Sequence, residues 1–221
     1  MKLGVLFSGG KDSTYACYLA KKQGYEIACL ISVFSKNKYS YMFHTPLIIN
    51  TKKQAEAMNI PLISEKTIGE KEIELKDLEK VIMKAKDKYK IEGIVTGAVE
   101  SVYQATRIQK ICSKLGLECF NPLWQKDQVE LLKDLIKSNF KVVIAGVFAY
   151  PFDEKWVGKE IDEDLIIKLK NLKDKYKINP AGEGGEFETF ILDCPLFSKS
   201  LTIKNKKVLG SDHSWNMEAD L

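Results

Sequence analysis

The residues best suited to chemistry are six near the start of the chain, Ser8-Gly9-Gly10-Lys11-Asp12-Ser13. The adjacent glycines let the backbone turn tightly and approach a ligand with no Cβ in the way. Ser8 and Ser13 add hydroxyl donors, and Lys11 adds a mobile positive charge. An apolar run, Leu3–Phe7, reads as a buried strand before them, and a helix over about Ser13–Gln23, stopped by Gly24, follows. Strand, glycine turn and helix start together present backbone N–H groups and a positive dipole end to a phosphate. The plainer reading is a glycine-rich turn with Asp12 or Ser13 as a helix N-cap. Spacing excludes the two better-known phosphate loops. A Walker A loop needs glycine where Val5 stands and Ser or Thr where Asp12 stands, and the dinucleotide fingerprint needs separated glycines.

A second segment, Asn179–Thr189, packs three glycines and three glutamates into the seven residues Gly182–Glu188. Such a run is a poor helix and a poor central strand. Its carboxylates suit a cation, a donor-rich substrate or proton abstraction from ammonium; a hairpin turn with solvated acids is the alternative. A third segment, Gly97–Arg107, sits where a strand passes into a helix. Gly97 can bring backbone close to a nucleotide, and Gln104 and Arg107 share a helical face by spacing. Arg107 is the single arginine in a chain with 34 basic residues. Its rigid bidentate fork suits phosphate or carboxylate as lysine does not, although a structural ion pair uses the same property. In a fourth segment, Ser40–Pro46, His44 is either a satisfied half-buried histidine or a substrate or adenine contact.

Elements must hold these segments together. Strands are expected at Leu3–Phe7, Glu26–Phe34, Leu62–Ser64, Gly93–Gly97 and Leu117–Phe120. Helices are expected between them, at about Ser13–Gln23, Leu47–Met58, Lys71–Tyr89 and Tyr103–Leu115. The third helix carries Leu75, Leu78, Ile82, Ala85 and Tyr89 at three- and four-residue spacing, one apolar face. This alternation predicts an α/β fold, a doubly wound parallel five-stranded sheet whose ligand lies at the carboxyl ends of the strands. After Pro122 the rhythm changes to a smaller α+β unit. It has a helix at Val129–Phe140, a strand at Lys141–Ala149, an acidic patch (Asp153 to Asp164), a helix through about Tyr176, and strands at Thr189–Asp193 and Ser200–Leu209. The boundary is placed between residues 124 and 125, with Trp124 packed at the junction.

Composition narrows the class. The 221 residues are 45% hydrophobic and 29% charged, ordinary for a globular protein. The longest apolar stretch, Val142–Tyr150, is far short of the ~20 residues that span a membrane. No secretory signal is evident, which predicts a cytoplasmic protein. Five cysteines without a C-x-x-C pair argue against a disulfide framework or a thiolate zinc site. The net charge of +4 is spread over lysines with no interleaved aromatics, so no direct nucleic-acid surface is expected. The oligomeric state is open, with a homodimer among the options.

The first motif resembles the S-G-G-x-D-S loop of the N-type ATP pyrophosphatases, the PP-loop superfamily, whose members cleave ATP between the α- and β-phosphates. Taken with Met42–Pro46 (MFHTP), Gly97–Arg107 (GAVESVYQATR), Leu115–Leu117, Pro122–Trp124 and Gly182–Thr189 (GEGGEFET) followed by Asp193 and Pro195, the chain resembles the diphthine–ammonia ligase family over nearly its whole length. Val102 and Ala105 depart from the family, which often has polar residues there. The resemblance implies adenylation of the carboxylate of diphthine, a modified histidine on translation elongation factor 2, followed by displacement of AMP by ammonium. It implies ATP with Mg²⁺, held by Ser8, Gly9, Gly10, Lys11, Asp12 and Ser13, with His44 and Gly97 beside the nucleotide and Asp12 on the metal. Lys11, Glu183 and Glu186 would be catalytic. Ser101, Tyr103, Gln104, Arg107, Glu183, Glu186 and Glu188 would hold the substrate. A transfer-RNA-modifying enzyme with the same adenylation and a non-catalytic nucleotide-binding module are the rival readings.

Overall fold

A computed structural model of the chain describes residues 1–35, 47–70 and 73–221. The Ser40–Pro46 segment, with His44, lies outside the described residues, as does the expected helix start at Lys71. The first half alternates as expected. It runs β1 (Lys2–Leu6), α1 (Lys11–Lys22), β2 (Glu26–Ser35), α2 (Thr51–Met58), β3 (Leu62–Thr67), α3 (Ile73–Tyr89), β4 (Gly93–Val95), α4 (Val102–Leu115) and β5 (Glu118–Phe120). All five strands are parallel, in the order β3-β2-β1-β4-β5. The order reverses beside β1, so the crevice for a ligand opens between the ends of β1 and β4.

Helices cover both faces. Leu78, Val81, Ile82 and Ala85 of α3 and Ile108, Ile111 and Cys112 of α4 bury one face with Ile31 and Ile94. Each fully buried aliphatic side chain contributes ~1.5–3 kcal/mol. On the other face, Tyr15, Ala16 and Cys17 of α1 and Ala55 and Met58 of α2 join Leu3 and Val5.

The remainder holds α5 (Gln128–Lys137), β6 (Lys141–Val147), α6 (Glu163–Tyr176), β7 (Phe187–Asp193), β8 (Lys204–Ser211) and β9 (Ser214–Asp220). Its strands form an antiparallel sheet ordered β7-β6-β9-β8. The strand expected at Ser200–Leu209 begins at Lys204, and β9 was not expected at all. In β9 only Met217 is fully buried, so the alternation that announces a strand is faint. A two-residue turn makes it: Ser211 pairs with Ser214, and Asp212 takes a left-handed φ of 51°. Part of the acidic patch caps helices: the Asp162 side chain accepts from Leu165 N at 2.8 Å at the start of α6.

The two sheets share one apolar core. Val142, Ile144, Val147, Phe190 and Ile191 lie in the same cluster as Leu3, Val5 and Tyr15. Phe140 stands edge-on to Tyr15 and Tyr18 of α1, at 5.4 and 5.5 Å between centroids. Both units therefore meet at the end of β1.

Candidate active site

Residues 8–13 leave β1 and enter α1. The N-cap is Gly10, with no side-chain cap, so neither Asp12 nor Ser13 serves that purpose. The serines brace the loop from within. Ser13 Oγ accepts from Ser8 N (3.2 Å) and donates to Gly10 O (3.3 Å), and the Ser8 and Ser13 hydroxyls lie 3.1 Å apart. Gly9 adopts a φ of +79°, and a Cβ there would stand 2.3 Å from Gln54 Oε1. The motif thus needs glycine at that position for both conformation and space.

The loop is bolted to the second sheet. Lys11 N donates to Thr189 Oγ1 at 3.0 Å, and Ile191 N donates to Gly9 O at 3.1 Å. Gln54 of α2, fully buried, donates through Nε2 to both Gly9 O and Ile191 O at 2.9 Å. One side chain therefore ties the phosphate loop to β7. Gln54→Ala would strand buried carbonyl capacity and is expected to cost about 1–3 kcal/mol of stability. It should also raise the KM for the nucleotide; urea unfolding and substrate titrations check the two effects.

Gly97, at the end of β4, packs against the same loop. A Cβ there would lie 2.6 Å from Ser13 N and 2.7 Å from the Asp12 carbonyl carbon. Gly97 thus makes a close approach to the first turn of α1, and it lines the cavity beside the loop.

The glutamate loop arrives from the other side. Lys11 is 3% exposed, and its ammonium meets Asp12 Oδ2 at 2.7 Å and Glu183 Oε1 at 3.3 Å. Burial pulls the Lys11 pKa down, but Asp12 and Glu183 outweigh it and leave it above its ordinary value. Burial, and then the Asp12 charge, push the Glu183 carboxyl up to about 7 against the opposing pull of Lys11. A carboxyl poised near neutrality at the mouth of a phosphate loop is suited to moving protons. Glu186 has a different part. Its carboxylate accepts from Asn179 N (2.6 Å) and Gly184 N (2.9 Å), which holds the loop in shape.

These groups line a cavity of about 710 Å³. Ser8, Gly10, Lys11, Asp12, Ser13, Gly97, Ser101, Gln104, Glu183 and Glu188 all reach it, while Gly9, Tyr103, Arg107 and Glu186 do not. Ser101 is also the N-cap of α4, accepting from Gln104 N at 3.3 Å. The Arg107 guanidinium lies over the Tyr103 ring at 3.4 Å, a stacked pair on α4 at four-residue spacing. Gln104 and Arg107 thus part company despite their spacing. Residues that the sequence did not single out also line the cavity: Thr96, Phe148, Ser214 and Asn216. Thr189 stood at the end of a noticed motif, whereas Gln54 and Asn216 carried no signal beyond being polar within apolar patterns.

Among the described residues no group of three or more His, Cys, Asp and Glu side chains gathers to hold a metal. Asp12 Oδ1 is buried with no hydrogen-bond partner among the described residues, so one carboxylate oxygen is available in the cavity wall. That fits Mg²⁺, which is commonly held by one or two carboxylates together with substrate phosphates. No helix among the described residues is long and apolar enough to cross a membrane.

Comparison with known proteins fits this geometry. Residues 1–119 match the diphthamide synthase N-terminal domain, and residues 127–219 match the diphthamide synthase C-terminal domain. The chain belongs to the diphthamide synthase family. Its relatives include the diphthine–ammonia ligases of Bos taurus and Homo sapiens, each 35% identical over 95% of this chain and 85% of the relative. The Danio rerio ligase is 32% identical over 97% of this chain and 91% of its own. Similarity to a Helicobacter pylori tRNA-specific 2-thiouridylase is confined to 62 residues, 28% of the chain. Within the family's two matched domains, the phosphate loop belongs to the first and the glutamate loop to the second.

Proposed function

We propose that this protein is an ATP-dependent diphthine–ammonia ligase, a carbon–nitrogen ligase that amidates diphthine on translation elongation factor 2. Residues 1–124 form its ATP-binding unit and residues 125–221 its substrate unit. The observation that carries the reading is the 3.3 Å contact between Lys11 and Glu183, which seats an acidic loop on a phosphate loop. A module that only binds nucleotide has no need of that second loop. The short span of similarity to a tRNA thiouridylase gives the tRNA reading little support.

In the first step a carboxylate oxygen of diphthine attacks the α-phosphorus of ATP, forming the acyl-adenylate and releasing pyrophosphate. The backbone of Ser8–Ser13 and the α1 dipole hold the phosphates, and Lys11 offsets charge developing on the leaving oxygen. Asp12 would hold Mg²⁺, which supplies further neutralisation of phosphate charge. In the second step ammonia attacks the acyl carbon and AMP leaves. Ammonium must first lose a proton, and Glu183 is the acceptor: ionised, it attracts the cation, and its pKa near 7 suits the transfer. Glu186 keeps the loop in register.

Incubation with ATP, ammonium and diphthine-bearing elongation factor 2 tests the reading. Sustained release of AMP and pyrophosphate should require both co-substrates, with a mass change on the factor equal to conversion of an acid to an amide. Release of ADP, or no turnover, would overturn it.

A further inference from the structure

The far wall of the cavity is built by the antiparallel sheet, and one row across it has an unusual composition. Glu188 of β7, Gly146 of β6 and Asn216 of β9 are direct register partners. Partners in an antiparallel ladder point to the same face, so Glu188 and Asn216 flank a central position that has no side chain. Their backbones stand two strand spacings apart, roughly 9–10 Å. Glu188 and Asn216 both line the cavity that contains the phosphate loop, as does Ser214, two residues back on the same face. The alternate residue, Met217, points into the core and is fully buried. Asn216 is thus held in place by the packing of its own strand. Its Oδ1 is buried and has no hydrogen-bond partner among the described residues. A buried acceptor left unpaired is costly unless a ligand completes it.

We infer that Asn216, with Glu188 across the row, receives the imidazole ring of the modified histidine. The inference rests on the diphthine ligase reading above and names the residue that recognises its substrate. The chemistry selects the ring over the other groups of the substrate. A trimethylammonium group has no N–H and leaves Asn216 Oδ1 unpaired, whereas the imidazole carries an N–H donor. The Glu188 charge favours that ring further when it is protonated. The carboxylate that reacts must lie at the Ser8–Ser13 loop, which leaves the wall with Glu188 and Asn216, in the same cavity, to the ring that bears it. Asn216 would therefore decide whether the acceptor is an imidazole-bearing acid, while ATP binding is left to the other wall.

The test uses the full chain with diphthine-bearing elongation factor 2, measuring KM for the factor and for ATP separately. Asn216→Leu, close in size but without an acceptor, should raise KM for the factor about tenfold or more. KM for ATP should stay within about twofold, since an intact phosphate loop is unaffected by loss of one remote hydrogen bond. Asn216→Asp keeps an acceptor at the same place and should restore KM for the factor to near wild type. Should the leucine variant fail to fold, Asn216→Val removes the acceptor with a residue that favours strands. An unchanged KM for the factor in the acceptor-less variants, or an equal rise in both KM values, overturns the assignment. Wild-type protein that gives no AMP with the factor overturns the ligase reading and this inference with it. Active wild type with insensitive Asn216 variants overturns this inference alone.

Discussion

Replacing Glu183 by glutamine is expected to lower kcat for amide formation about 10²- to 10⁴-fold, the range for loss of a positioned proton acceptor. Glutamine keeps the size of the side chain and a hydrogen bond to Lys11, but it cannot take a proton. The loss should be smaller at high pH and high ammonium, where free ammonia is abundant and needs no base. In the wild type, the rate at low ammonium should climb as pH rises through about 7, because only ionised Glu183 accepts a proton. The glutamine variant should lack an inflection near 7 and rise only as free ammonia accumulates. Stability moves in the opposite sense. Glu183 has a folded pKa of about 7 against an ordinary 4.5, so the folded state binds more protons across that window. The stability this group contributes is full below pH 4.5 and is lost as pH rises through about 7. The difference in Tm between Glu183→Gln and wild type should therefore shift in favour of the variant from pH 4.5 to 7. Thermal melts across that range and ammonium titrations at fixed pH check both halves. A variant of unchanged rate at low ammonium would exclude Glu183 as the base.

Gly97→Ala should be nearly as damaging, although the residue carries no functional group. The added methyl would press on Ser13 N at 2.6 Å and on the Asp12 carbonyl carbon at 2.7 Å, both backbone atoms of the first turn of α1. Backbone at a helix start cannot swing aside as a flexible side-chain end can. Either β4 or the phosphate loop must shift by several tenths of an ångström. A displacement approaching 1 Å at a site that aligns reacting groups costs about 100-fold in rate. The expected result is a fall of that order in kcat/KM for ATP, with about 1–3 kcal/mol lost in stability from overpacking. Steady-state kinetics with varied ATP and urea unfolding measure the two. Wild-type kinetics in the alanine variant would show that the loop tolerates the shift.

Much of this was legible from residue order alone. The parallel sheet and its helices followed from alternating apolar runs, because a buried strand and an amphipathic helix each require a distinct periodicity. The phosphate loop was readable because its glycines, lysine and serines act within a single turn. The glutamate loop was visible as a composition that no regular element favours. Long-range partnerships were not readable. Gln54 lies 45 residues from Gly9 and 137 from Ile191, yet joins them, and α2 offers no pattern that marks it. Glu183 and Glu186 looked equivalent as neighbours in one loop. Backbone turns separated them, giving Glu183 to Lys11 and Glu186 to the amides of Asn179 and Gly184. Arg107, conspicuous as the single arginine, packs on Tyr103 instead of joining the cavity lining.

By itself, then, the amino-acid order determined a phosphate loop on a parallel sheet and an acidic loop in a second unit, because each is local chemistry written in consecutive residues. Only the tertiary structure decided that the two loops meet on Lys11, and that Gly97 and Gln54 hold the first of them in place. It also placed Glu188, Gly146 and Asn216 in one row. Those relations depend on strand order and register, which arise from packing between segments far apart in the chain and leave no periodic trace within any of them.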